Sequence, residues 1–218
     1  MLNFFLISFL FISSCSSLIP KKSKEILHPS FENIKVSEKR HWVVKRGENL
    51  LRNVGVATLA VWVRPKNNSN YPMDLIAISV AGKENPSNSS RASIRLLADG
   101  KIGGIARARD DEEAQRGFSQ SVMKESLWQH IVLIIDYEKN RMEFYRNGVF
   151  VPSTGRIKFK AQKTSDTPSK TIVIGAEDDG SAYHFNGDIK HVGIWGRRLY
   201  QDEIKKLVEQ FSDDFKLR

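Results

Sequence analysis

"WQHIVLIIDYEKNRMEFYRNGVFV", residues 128–151, decides the fold. Ile131, Leu133 and Ile135 fall on one face of an extended chain, and Val132 and Ile134 on the other. Successive side chains of a strand point to opposite sides, so a run apolar on both parities predicts a strand covered on both faces. Glu138-Lys139-Asn140 interrupts the run and a second strand follows. Asn147-Gly148, a pair suited to the positive φ angles of a tight hairpin, then turns the chain again.

The same grammar extends outward in both directions. "VGVATLAVWVRP" (54–65) is rich in β-branched residues and stops at a proline. "DLIAISVAG" (74–82) is similar, and "ASIRLLADGKIGGIARA" (92–108) carries Asp99-Gly100 between two apolar runs. "KTIVIGAEDDG" (170–180) and "FNGDIKHVGIWGR" (185–197) supply two more strands. Short strands, frequent turns and little helix predict an all-β, antiparallel sandwich. One helix is expected near the C-terminus. In "QDEIKKLVEQF" (201–211), Ile204, Leu207, Val208 and Phe211 repeat at i, i+3, i+4 and i+7. Asp202 and Glu203 occupy its first turn, and Asp202 stands four residues from Lys206. No internal repeat is visible.

The N-terminal residues read as an address. "MLNFFLISFLFISSCSS" is apolar from Leu2 to Ile12, too short to span a bilayer and suited to a signal peptide. The single cysteine of the chain, Cys15, excludes an intramolecular disulfide, so the fold rests on its apolar core. Residues 16–40 are polar, with Pro20, Pro29 and several lysines, and read as a tether; residues 41–218 read as the folded domain. The formal charge is +9, of which a net +5 lies between Pro20 and Arg46. Cationic charge favours nucleic acid or anionic membranes. Its concentration in an exported tether argues against nucleic acid and leaves the body a mixed surface.

Two resemblances follow from these residues. Ile12-Ser13-Ser14-Cys15 resembles the bacterial lipobox, in which the cysteine becomes the acylated first residue. That implies residues 1–15 as a signal segment cut before Cys15, and two or more acyl chains as the anchor. No Lys or Arg precedes the apolar run, which departs from the usual pattern. The alternative is an ordinary secretory leader cut near Ser17. Ser16 rather than Asp after the cysteine implies an outer-membrane or cell-surface destination; the alternative is a secreted or periplasmic protein.

The body resembles the concanavalin A-like lectin/glucanase superfamily, in particular its laminin G-like jelly-roll domains. "ATLAVWVRP" (57–65), the 128–151 hairpin and "IVIGAEDDGSAYHFNGDIKHVGIWGRRLYQDEI" (172–204) match in order. The resemblance implies a jelly roll with Trp62, Trp128 and Trp195 between the sheets, Phe185 in the core, a tight bend at Gly187 and the helix as a cap. It implies a glycan or an extracellular protein as partner, bound at one rim or by the concave sheet, and names no ligand residue.

Chemistry is sparse. Laminarinase-like members carry Glu-x-Asp-x-(x)-Glu along one strand, the paired carboxylates that glycoside hydrolysis requires. Here Glu177-Asp178-Asp179 is followed by Ser181 and Ala182 where the second Glu would stand. The chain is therefore expected not to be an enzyme. A divergent glycoside hydrolase and a purely structural envelope lipoprotein are the alternatives. The five histidines show no metal-ligand spacing, and His130 reads as a packed strand residue. No cofactor is expected. Calcium, which related domains bind through acidic loops, has weak candidates in Asp178 and Asp179 and a weaker acidic loop at 109–113. Lys190 stands where relatives often carry an Asp near the metal.

Overall fold

The structure is a computed structural model that describes residues 51–66, 70–79, 90–167, 171–177, 180 and 182–212, together with the backbone of strands 34–36 and 42–44. Cys15 lies outside the described residues, as do Asp178 and Asp179.

Among the described residues thirteen strands and one helix follow in order: β1 (Ile34–Val36), β2 (Trp42–Val44), β3 (Val56–Pro65), β4 (Met73–Ser79), β5 (Ser90–Leu96), β6 (Lys101–Ala106), β7 (Gln115–Val122), β8 (Gln129–Asp136), β9 (Arg141–Arg146), β10 (Val149–Val151), β11 (Ser153–Thr154), β12 (Ile172–Ile174), β13 (Gly187–Trp195) and α1 (Gln201–Ser212). They form two antiparallel sheets. The first runs β1-β13-β3-β8-β9-β10 and the second β11-β7-β6-β5-β4-β12-β2. The expected sandwich with a C-terminal helix is present. Within the stretch read as a tether, Ile34–Val36 pairs with β13 as an edge strand.

The hairpin that opened the sequence reading sits at the centre of the first sheet. β8 pairs with β3 on one side and β9 on the other. Its two faces have different neighbours. Ile131, Leu133 and Ile135 join Leu59, Val61 and Val63 of β3 in the main core between the sheets. Val132 and Ile134 join Ala60, Trp195, Leu199 and Ile204 in a second core, between the sheet and α1. Each completely buried aliphatic side chain contributes about 2 kcal/mol of transfer free energy, so both cores hold the strand in register.

β7 has no apolar alternation in its sequence. Its inward Gly117 is small because Met142 of β9 occupies the space, a Cβ there standing 3.1 Å from Met142 Sδ, while the Ser119 hydroxyl accepts from the Ile102 amide and donates to the Ser121 carbonyl. Gly104 on β6 is small for the same reason, a Cβ there meeting Leu133 and Met142 at 3.0 Å.

The indoles correct the expectation drawn from the resemblance. Trp62 and Trp195 are buried, each 5 % exposed, but on the outward face of the first sheet. Trp195 packs in the second core, and Trp62 alternates with the inward Val61 and Val63. Trp128 is half-buried, with Arg64 Cζ 5.2 Å and Lys190 Nζ 5.5 Å from its ring. Phe185 does lie in the main core. α1 begins at Gln201 as expected. Glu203 accepts from the Tyr200 amide at 2.9 Å and takes a two-pronged ion pair from Arg197, half of a capping box. Of the two acids in the first turn, Glu203 and not Asp202 makes the helix's ion pair.

Candidate functional site

The outward face of the second sheet carries Asp74 and Ala77 on β4, Ser93 and Arg95 on β5, Gly103 and Ile105 on β6, and Arg116 and Phe118 on β7. Cross-strand register sets Asp74, Arg95, Gly103 and Phe118 side by side in one row. Ala77, Ser93, Ile105 and Arg116 form the next. Small residues therefore make the middle of the face. Ala77 and Ser93 are fully buried, and Ser93 Oγ has no hydrogen-bond partner. Exposure begins at the rim.

At that rim three residues distant in sequence, Asp74, Arg95 and Tyr183, converge. Asp74, fully buried, receives both Nε and Nη2 of Arg95 at 2.8 Å. Two parallel N–H···O bonds hold the guanidinium in one plane. The Arg95 Cζ lies 4.9 Å from the centre of the Tyr183 ring, within cation–π range. The backbone closes the arrangement, since the Asp74 amide donates to the Tyr183 carbonyl at 2.8 Å. Tyr183 needs that support because its φ is +52°, a left-handed conformation that crowds a side chain. Tyr183 as a residue is 38 % exposed, and Tyr71, on the segment leading into β4, is 73 % exposed.

Arg95 has unused capacity. Among the described residues its Nη1 makes no hydrogen bond, while its side chain is 16 % exposed. A Cβ on Gly103 would stand 3.2 Å from Arg95 Cγ and Leu97 Cδ2, so glycine is what lets the arginine lie down against the sheet. The rim thus offers an exposed aromatic face, an oriented donor and a charge already balanced.

Two other recesses have different characters. A small crevice of about 20 Å³ between the first sheet and α1 is lined by Ala60, His130, His191, Trp195, Leu207 and Phe211. His191, at φ +47° in a β13 irregularity, stacks on Phe211 at 3.9 Å across its mouth. His130 is almost fully buried there, and desolvation pushes its pKa down to about 3, with His191 adding to the effect. It is a packed strand residue, as expected. A larger cleft of about 450 Å³ runs between 111–115 and 158–160. Its buried Glu112 accepts from the amides of Ala108 and Lys160, and Asp110 nearby pairs with Arg91. Those carboxylates of the 109–113 loop are held internally.

Glu177 is 7 % exposed and heads a turn in which its amide donates to Ala182 O and its carbonyl accepts from Gly180. Among the described residues no group of three His, Cys, Asp or Glu stands close enough to hold a metal. The sequence reading did not find the rim. Asp74 and Arg95 each look like an ordinary polar strand position, and only the pairing of β4 with β5 brings them together. The signal available was Tyr183, an aromatic residue in a Gly- and Asp-rich loop.

Residues 42–205 match the family model described as the concanavalin A-like lectin/glucanases superfamily, of laminin G type. The chain matches no curated protein by sequence. Among solved structures it is similar to the CBM40 module of the Ruminococcus gnavus IT-sialidase bound to α2,3 sialyllactose, at 19 % identity and a TM-score of 0.65, covering 84 % of this chain and 99 % of that one. The binding domain of botulinum neurotoxin serotype G is similar at 16 % identity and a TM-score of 0.59, with 83 % of this chain and 42 % of that one covered. A SAP-like pentraxin of Limulus polyphemus is similar at 14 % identity and a TM-score of 0.54, over 83 % and 79 % of the two chains. Sialidase chains from Trypanosoma rangeli also match, over 24 % of their length. At these identities the likeness is one of fold.

Proposed function

The chain belongs to the concanavalin A-like lectin/glucanases superfamily, and from that premise we propose that it is a non-catalytic carbohydrate-binding module. The observation that carries the reading is the rim at the start of β4, where the exposed ring of Tyr183 is pinned above the Arg95–Asp74 pair. Sugar sites combine an aromatic face for the apolar side of a pyranose with a few fixed polar groups. Strained backbone held by several contacts points the same way, since such conformations gather at ligand clamps. Fold neighbours named as a carbohydrate-binding module and a toxin binding domain support a binding role over a catalytic one.

In this reading the chain is exported and held at the outer membrane or cell surface by acyl chains on Cys15, with the polar segment as spacer. Mass spectrometry of the mature N-terminus tests that part, and an unmodified start after residue 15 overturns it. The binding role is tested by presenting the mature chain to a glycan array with and without chelator. Dose-dependent retention that survives chelation is expected. Loss on chelation would favour calcium held through Asp178 and Asp179, and retention of no glycan overturns the binding reading. A reducing-sugar assay on β-glucans is expected to show no turnover; turnover abolished by Glu177→Gln would make the chain a hydrolase.

A further inference from the structure

We infer that the rim at Tyr183 selects a neutral pyranose rather than an acidic sugar, an inference that rests on the binding role proposed above. The geometry separates two properties that arginine usually supplies together. One is charge. Asp74 is fully buried and holds Arg95 through two hydrogen bonds, so that among the described residues the two charges balance each other toward a ligand. A carboxylate brought to Nη1 would meet the buried Asp74 carboxylate just behind the guanidinium, and the two anions would repel in a poorly hydrated setting. The other property is direction. Arg95 Nη1 has no hydrogen bond among the described residues, and the ion pair fixes its plane. A fixed N–H donor without excess charge suits a hydroxyl or amide carbonyl oxygen.

Tyr183 supplies the second contact. Its ring faces Arg95 on one side, at 4.9 Å, and the residue is 38 % exposed. Because Arg95 covers one face of the ring, a pyranose packed against the exposed ring edge beside the guanidinium would bring an equatorial oxygen toward Nη1. Ring and donor are held by a common element, because the Asp74 amide fixes the Tyr183 carbonyl while the Asp74 carboxylate fixes Arg95. Asp74 is thus a positioning residue that also sets the charge preference.

The test uses the mature chain and the glycans that the array retains. Titrations compare neutral oligosaccharides, such as lactose and N-acetyllactosamine, with 3′-sialyllactose, at low and high salt. Neutral ligands are expected to bind with affinity unchanged by salt. Tyr183→Ala is expected to lose about tenfold and Tyr183→Phe little, since the ring and not the hydroxyl makes the contact. Arg95→Gln is expected to lose about tenfold or more. Asp74→Asn leaves Arg95 with an uncompensated charge and is expected to raise the affinity for 3′-sialyllactose relative to lactose. A merely structural role for Asp74 would lower both together. Should Asp74→Asn not fold, the salt dependence of the unsubstituted chain decides the matter. Retention confined to acidic glycans, with affinity falling as salt rises, would overturn the inference while leaving the binding role intact. Neutral binding indifferent to Tyr183→Ala would likewise overturn it. Retention of no glycan at all removes the binding role and this inference together.

Discussion

The imidazole of His130 lies 5.2 Å from the indole of Trp62, tilted by 40°, on the face of the first sheet that α1 covers. His130 Nδ1 has no hydrogen-bond partner, and burial holds its pKa near 3, against 6.5 for a free histidine. The folded chain therefore carries a neutral ring where the unfolded chain takes up a proton. The stability this gives is complete above about pH 6.5 and is lost as pH falls toward 3. Between pH 7 and 5 the loss is about 2 kcal/mol. Urea denaturation across that window is expected to show this slope, and His130→Phe is expected to flatten it. An unchanged slope in the variant would place the titration elsewhere.

Arg198 ties the segment before α1 to the hairpin beneath. Its Nη2 donates to Asp136 Oδ2 at 2.8 Å and its Nη1 to Glu143 Oε2 at 2.6 Å. Asp136 is 2 % exposed, and Arg141 approaches it at 3.7 Å. Removing Arg198 leaves the buried carboxylate with weaker company, which typically costs about 3 kcal/mol or more. Arg198→Met is expected to lower the urea midpoint accordingly, and Arg198→Lys is expected to recover little, because lysine cannot bridge both carboxylates with a planar fork. Full recovery by lysine would reduce the network to simple charge.

Much of the sandwich was readable because its inward residues announce themselves. β8 is apolar on both parities and is covered on both faces; Asn147-Gly148 turns the chain, with φ +50° and +78°. β7 was not readable, since Met142 leaves room only for a glycine at 117 and Ser119 spends its hydroxyl on backbone hydrogen bonds. The indoles were misplaced for a related reason. Alternation says which residues share a face but not which face looks at the other sheet, and the second core beneath α1 is as dry as the first. The rim was least legible: Asp74, Arg95 and Tyr183 are separated by 21 residues in one case and meet through pairing alone, which no local pattern encodes.

Gly187 is required by close packing and not by the tight bend that the resemblance implied, since it lies in β13 and pairs with Val36 and Pro65. A Cβ there would collide with the Arg64 carbonyl of the neighbouring strand and stand 2.7 Å from Phe185 Cε1. Both neighbours are fixed, one as backbone and the other as a fully buried ring. Gly187→Ala is expected to destabilise by about 2 kcal/mol through overpacking. Gly187→Ala combined with Phe185→Leu relieves the side-chain clash and leaves the backbone one. A double variant as stable as the parent would show that the carbonyl contact yields.

Tryptophan emission reports the face beneath α1 and not the main core, which holds no indole among its residues. Trp62 and Trp195 are 5 % exposed, and Trp128 is half-buried. Trp195 owes part of its shelter to α1, whose Ile204 is fully buried in the same cluster. Ile204→Asp places a carboxylate in that apolar contact and is expected to lift the helix from the sheet. The main core between the sheets does not include Ile204, so the sandwich is expected to persist. Acrylamide quenching is expected to rise in Ile204→Asp, while far-ultraviolet circular dichroism keeps its β signature. Replacing Trp195 by Phe in the same background is expected to remove most of the added quenching. If quenching did not change, α1 would not be what keeps water from the indole; if the β signature collapsed, the second core would be required for the sandwich itself.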